Sequence, residues 1–126
     1  MNILKLLPAS LVDAAILNQP EGCEHVAWRR AEALGVIHHL DSTDFAVLGG
    51  DVLVLRGQEF NHALDGWYCE HQKSESWASY AARSRREARE YLTRYPEQGE
   101  MAYVLEFQDK PSARDLLLEG GVDPGA

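Results

Sequence analysis

Leu48-Gly49-Gly50-Asp51-Val52-Leu53-Val54-Leu55, closed by Arg56-Gly57-Gln58-Glu59 and continued through Phe60-Asn61-His62-Ala63-Leu64 to Asp65-Gly66-Trp67-Tyr68-Cys69-Glu70, decides the fold. Phe45 to Leu48 and Val52 to Leu55 are rich in strand-forming residues, and the two glycines between them read as a bulge or bend within one strand. Arg56-Gly57-Gln58-Glu59 supplies a tight turn, so Phe60 to Leu64 returns antiparallel to the first strand. Asp65-Gly66 is then expected to break the returning strand before Trp67-Tyr68-Cys69-Glu70. The result is a hairpin that displays side chains rather than one that assembles a reaction.

Downstream, Trp77, Tyr80, Ala81, Ser84, Ala88, Tyr91, Leu92 and Tyr95 recur at helical spacing and draw one continuous stripe. Ser74 or Ser76 caps the start of that helix, and Pro96 with Gly99 ends it. Its other face carries the i,i+4 pairs Arg83 with Glu87, Arg86 with Glu90, and Glu90 with Arg94. Met101 to Gln108 reads as the last strand. Upstream, Pro8 to Leu17 reads as a short helix ended by Asn18-Gln19-Pro20-Glu21-Gly22. A second helix is expected from about Glu24 to His38, with Val26, Ala27, Ala31, Leu34 and Ile37 or His38 on its apolar side. A helix between the second and third strands reverses the chain, which sets the third strand antiparallel to the first and beside it. The expectation is an α+β domain: a small antiparallel sheet in the order 2-1-3 with helices packed mainly on one face. At 126 residues the chain is expected to be a single domain, residues 1–126, with its core at about residues 8–108 and a flexible tail over 109–126.

Composition narrows the partner. Hydrophobic content of 45% and charged content of 25% are those of a folded chain rather than a disordered one. A formal charge of −8 disfavours nucleic acid and anionic membrane, which both demand counter-charge, and favours a basic protein. Residues 73–95 hold six basic and three acidic side chains, a local balance of +3 against −8 for the chain, so the remainder carries −11. The first 19 residues are apolar but interrupted by Lys5, Pro8 and Asp13, without the unbroken apolar core of a signal peptide. Two cysteines are too few for a disulfide framework and read as reduced thiols, so the expected location is the cytoplasm.

Several residue groups carry chemistry and are weighed against plainer roles. Cys23-Glu24-His25 and Cys69-Glu70-His71 repeat one tripeptide, and two such pairs would make a Cys2His2 zinc site, but the spacing is not a zinc pattern. His38, His39, Asp41 and Asp44 gather imidazole and carboxylate as a metal or general-base site would, yet both residue types are common where a helix ends in a turn. The helix arginines read as a solvated, charge-balanced face before they read as a phosphate row. Gly-x-Ser-x-Gly, phosphate-loop, dinucleotide and His-Glu-x-x-His signatures are all missing. The expectation is therefore a non-enzyme with no cofactor and no metal. The alternative is a small enzyme or metal-binding protein built on His38, His39, Asp41 or the Cys-Glu-His segments. A third reading is an acidic subunit that self-assembles through its basic helix.

Val47-Leu48-Gly49-Gly50-Asp51-Val52, Asp65-Gly66-Trp67-Tyr68, Ala27-Trp28, and a Ser-initiated helix ending in Tyr91-Leu92-Thr93-Arg94-Tyr95 together resemble the immunity protein 40 family of bacterial polymorphic toxin systems, over roughly residues 24 to 108. The resemblance implies a protein that binds and neutralises a cognate toxin without catalysis. From the residues themselves, the expected contact surface is the hairpin and the segment after it: Asp51, Glu59, Asp65 and Glu70 speed encounter with a basic toxin surface, and Trp67 or Tyr68 is an apolar anchor. Adjacent aromatics on a strand face opposite ways, so one of the two is expected at the surface.

Overall fold

A computed structural model describes residues 3–16 and 26–112 of the chain. Ala46–Arg56 form one unbroken strand, β2, and Glu59–Tyr68 form its antiparallel partner, β3. The two-residue loop Gly57-Gln58 joins them, with Gly57 at φ +66°, as a tight hairpin with glycine at the first loop position requires. Asp65-Gly66 does not break β3 as expected; Gly66 pairs with Asp51 and the strand runs on to Tyr68.

Two irregularities take up the unusual residues of the hairpin. Against the last strand, β4 (Met101–Gln108), Leu48 is the extra residue of a bulge, because Val47 pairs with Phe107 and Gly49 with Glu106. Against β3 the surplus lies on the other strand: Leu53 pairs with His62 and Asp51 with Gly66, so Ala63-Leu64-Asp65 stand opposite Val52 alone.

The sheet order is β1-β4-β2-β3 and not the expected 2-1-3. The three anticipated strands are neighbours through the central β2, with antiparallel pairing on both sides of it, and a two-residue strand, β1 (Ala27–Trp28), adds beyond β4. Ala27 and Trp28 are therefore strand and not part of the helix expected from Glu24. Ala27 bridges Ile16 and pairs with Val104, and Trp28 pairs with Tyr103.

The helix that follows, α2 (Arg30–Leu40), buries Ala33, Val36, Ile37 and Leu40 rather than the stripe through Ala31 and Leu34. The first helix is shorter than expected: α1 spans Ala9–Asp13 after a 3-10 turn at Ile3–Leu6, with Pro8 at the position before its first turn. Leu17, the stop signal at residues 18–22, the expected helix start at Glu24 and the tail beyond residue 112 lie outside the described residues.

The long helix α3 (Trp77–Arg94) runs as its apolar stripe demands. Ser76 Oγ accepts from the Ser79 amide at 3.2 Å and caps it, and the backbone turns extended at Tyr95 ahead of Pro96. Ala88 and Leu92 join Val36, Ile37 and Leu40 of α2 and Val47, Val52, Tyr103 and Leu105 of the sheet in the main core. Alternation along β4 sends Ala102 and Val104 to the opposite face, where they pack with Ala27 and Leu53 in a smaller cluster. The sheet and the helices on one of its faces make the molecule α+β. No helix among the described residues is long and apolar enough to cross a membrane.

Candidate partner-binding surface

Glycine at 50 is a requirement of packing. A Cβ there would fall against the Val104 carbonyl oxygen and within 2.5 Å of Trp67 Cη2, because the indole lies across β2 at that point. Trp67 continues inward to stack on Tyr91 of α3, with ring centroids 4.5 Å apart and planes at 27°. Its Nε1 is buried and has no acceptor among the described residues, so stacking and not a hydrogen bond holds the ring. One residue earlier in alternation, Asp65 accepts a 2.6 Å hydrogen bond from the Tyr95 hydroxyl. That bond, ahead of burial, pushes the Tyr95 phenol up to about 12. Trp67 and Asp65 together tie the edge strand to the C-terminal half of α3.

Tyr68 faces the other way and is 70% exposed. It pairs with Gly49, and Asp51, two positions along β2, lies on the same face and is exposed. Of the six residues anticipated as contacts, then, Asp51 and Tyr68 share one surface, and Asp65 and Trp67 point toward α3. Glu59 sits at the hairpin tip opposite Arg56, nine residues from Tyr68 and roughly 30 Å away at strand rise. Glu70 lies just past the strand with its side chain exposed. These positions form no single patch with Glu59 included; they form an edge, with acids spaced along it.

Leu64 is the residue missing from the sequence-based set. It occupies the bulge of β3 at φ +63°, a left-handed conformation that costs a non-glycine residue about 1 kcal/mol, and its side chain is 93% exposed. Leu64 and Tyr68 are the two large hydrophobic side chains left exposed among the described residues, and both belong to β3, which has a sheet neighbour on one side only.

The residues that promised chemistry are consumed by one another. Arg83 on α3 reaches both carboxylate oxygens of Glu75 at 2.7 Å, Glu87 at 2.6 Å and the Glu70 carbonyl at 2.7 Å. It also lies 3.1 Å from Cys69 Sγ. The guanidinium holds the Glu75 carboxyl down to about 2, and the two carboxylates raise the arginine in turn. Burial, followed by the charge of Glu87, pushes the Cys69 thiol up to about 11, the reverse of what a nucleophile or metal ligand needs. His71 stacks on Tyr80 at 4.7 Å and meets the Glu75 carbonyl through Nε2 at 2.6 Å, and Tyr80 donates to the Cys69 carbonyl. Cys23 and His25, the other half of the Cys2His2 possibility, lie outside the described residues. Among those described, no three His, Cys, Asp or Glu side chains are grouped to hold a metal ion.

Asp41 is bound by Arg85, at 3.1 Å, and by Arg89, while Arg85 also donates to the Phe45 carbonyl at 2.7 Å. His39 contacts the Leu6 carbonyl at 2.7 Å, and His38 stands exposed 3.9 Å from Asp41. Asp44 contributes its carbonyl to Trp77 Nε1. This cluster pins the α2–β2 connection to α3. Arg83, Arg85 and Arg89 thus form no phosphate row, and Arg85 is buried rather than solvated. Ser84, also buried, donates to the Ala81 carbonyl and accepts from the Val47 amide at 3.0 Å, next to the β2 bulge.

A protein-family model described as Immunity protein 40 matches residues 17–107, which takes in every strand together with α2 and α3. No curated protein and no solved structure matches the chain.

Proposed function

The chain belongs to the immunity protein 40 family, and from that premise we propose that it is a non-catalytic inhibitor that binds and neutralises a cognate toxin of a bacterial polymorphic toxin system, acting in the cytoplasm. The observation that carries the reading beyond family membership is the contrast in how side chains are used. Candidate catalytic groups are locked in structural pairs, whereas large apolar groups stand in solvent on a sheet edge. A binding surface needs the second arrangement and has no use for the first.

The toxin surface it meets is basic. Asp51, Glu59, Asp65 and Glu70 are exposed, and along residues 51–70 they face Arg56 as the one cationic side chain, so the hairpin attracts positive charge. Tyr68 supplies an apolar contact, and Trp67 acts from behind by fixing the strand that carries it.

Co-expression with the toxin encoded beside it tests this reading. Growth should be restored and the two proteins should co-purify as a stable complex. Failure of both rescue and complex formation with every toxin candidate encoded nearby would remove the proposal.

A further inference from the structure

We infer that Leu64, held out of the fold by the β3 bulge, inserts with Tyr68 into an apolar pocket of the basic toxin surface and is a determinant of which toxin is recognised. This rests on the toxin-binding reading above. The residues beside it face the helices: Ala63 packs on the main core and Asp65 bonds to Tyr95, so alternation sets Leu64 on the opposite face with Tyr68. Between them, a left-handed backbone at Leu64 carries the side chain into water. Strain and exposure coincide on one residue, and neither benefits the isolated fold. Placing the side chain in advance removes part of the ordering cost that a mobile loop would pay on binding.

The bulge also selects the mode of binding. A partner adding a strand to the free edge of β3 needs a regular ladder, and three residues opposite one interrupt it in mid-strand. Contact through side chains is the geometry left. A second copy of this chain is a poor occupant, because it would bring the same four acids against themselves with Arg56 as the sole cation of residues 51–70. A basic partner with an apolar pocket meets both the charge and the exposed Leu64 and Tyr68.

Leu64→Gly and Leu64→Asn test the inference without endangering the fold, since both residues accept positive φ. Relief of strain in the glycine variant is offset by the larger entropy of its unfolded chain, so its melting temperature should stay within about 5 °C of wild type. Asparagine avoids that entropy loss and serves if glycine loosens the hairpin. Binding kinetics are measured with the toxin identified by growth rescue, carried as an inactivated variant, on wild type, both Leu64 variants and Glu90→Ala on α3 as a control. Both Leu64 variants should dissociate at least tenfold faster, with the salt dependence of association retained; Glu90→Ala should match wild type. Dissociation within twofold of wild type in both Leu64 variants overturns the inference while leaving the toxin-binding function standing. Absence of any binding by wild type removes that function and the inference together. A wild-type dimer in sedimentation that Leu64→Gly converts to monomer, with toxin binding unchanged, would assign Leu64 to self-association and overturn the inference as well.

Discussion

The connector from Cys69 to Ser76 and the edge strand just before it, Ala63 to Tyr68, are neighbours in sequence and opposites in physical character. In the connector the groups that face α3 are paired: Arg83 gathers Glu75, Glu87 and the Glu70 carbonyl, Tyr80 bonds the Cys69 carbonyl, and His71 is sandwiched by contacts to Tyr80 and Trp77. On the edge strand, Leu64 is strained and exposed and Tyr68 stands in solvent. Residue types that look reactive in a list can be the least available, because opposite charges and donors neutralise one another when a fold brings them together. Availability is what a binding protein preserves, and here it lies on the plainer residues.

The largest effect is expected where the two regions share a support. Gly50→Ala would press a methyl group against the Val104 carbonyl and the Trp67 ring, neither of which has room to yield. A loss of about 3 kcal/mol is expected from such overpacking, read as a fall in the denaturant midpoint. Toxin affinity should fall with it, since Trp67 carries Tyr68.

Arg83→Met separates the regions. The guanidinium is one-fifth exposed, so solvent weakens its pairs, yet three acceptors lose their donor at once. The expected cost is about 2 kcal/mol, with toxin dissociation from the folded variant unchanged. Faster dissociation at full occupancy of the folded state would show that the Arg83 clamp itself belongs to the interface.

A smaller effect is carried by pH. The Glu75 carboxyl lies at about 2 when folded, against an ordinary 4.5, because of its bond to Arg83. Its contribution to stability is therefore complete above pH 4.5 and declines as pH falls from 4.5 toward 2. Glu75→Gln should melt below wild type at pH 7, and the gap should narrow over that acid range. A gap that is constant from pH 7 to pH 2.5 would mean that the clamp owes nothing to the carboxylate charge.

How much of this was legible beforehand depends on the range of the forces involved. The α3 stripe, its Ser76 cap, the glycine turn and β4 are written in local periodicity and turn chemistry, and they read correctly. Ala27-Trp28 did not, because a two-residue strand has no period of its own and exists only through the edge of β4. Arg85 resembled its solvated neighbours; Asp41 and the Phe45 carbonyl, 44 and 40 residues away, draw it inward. The opposed directions of Trp67 and Tyr68 followed from strand alternation, but which one faced outward depended on Tyr91 being across the sheet. Leu64 was silent for the same reason. Its exposure comes from the register of β3 on β2, and no residue near it announces a bulge. A leucine directly before Asp-Gly is the weak hint available, since Asp-Gly is turn chemistry inside what proves to be a continuous strand.

Hydrogen–deuterium exchange of the complex with its toxin bears most directly on the claim that the β3 edge is the contact surface. The account predicts slowed exchange over residues 59–70, with the solvent-facing side of α3 around Arg86, Glu90 and Arg94 exchanging as in the free protein. Slowed exchange along α3 with residues 59–70 unchanged would contradict it and move the interface to the basic helix.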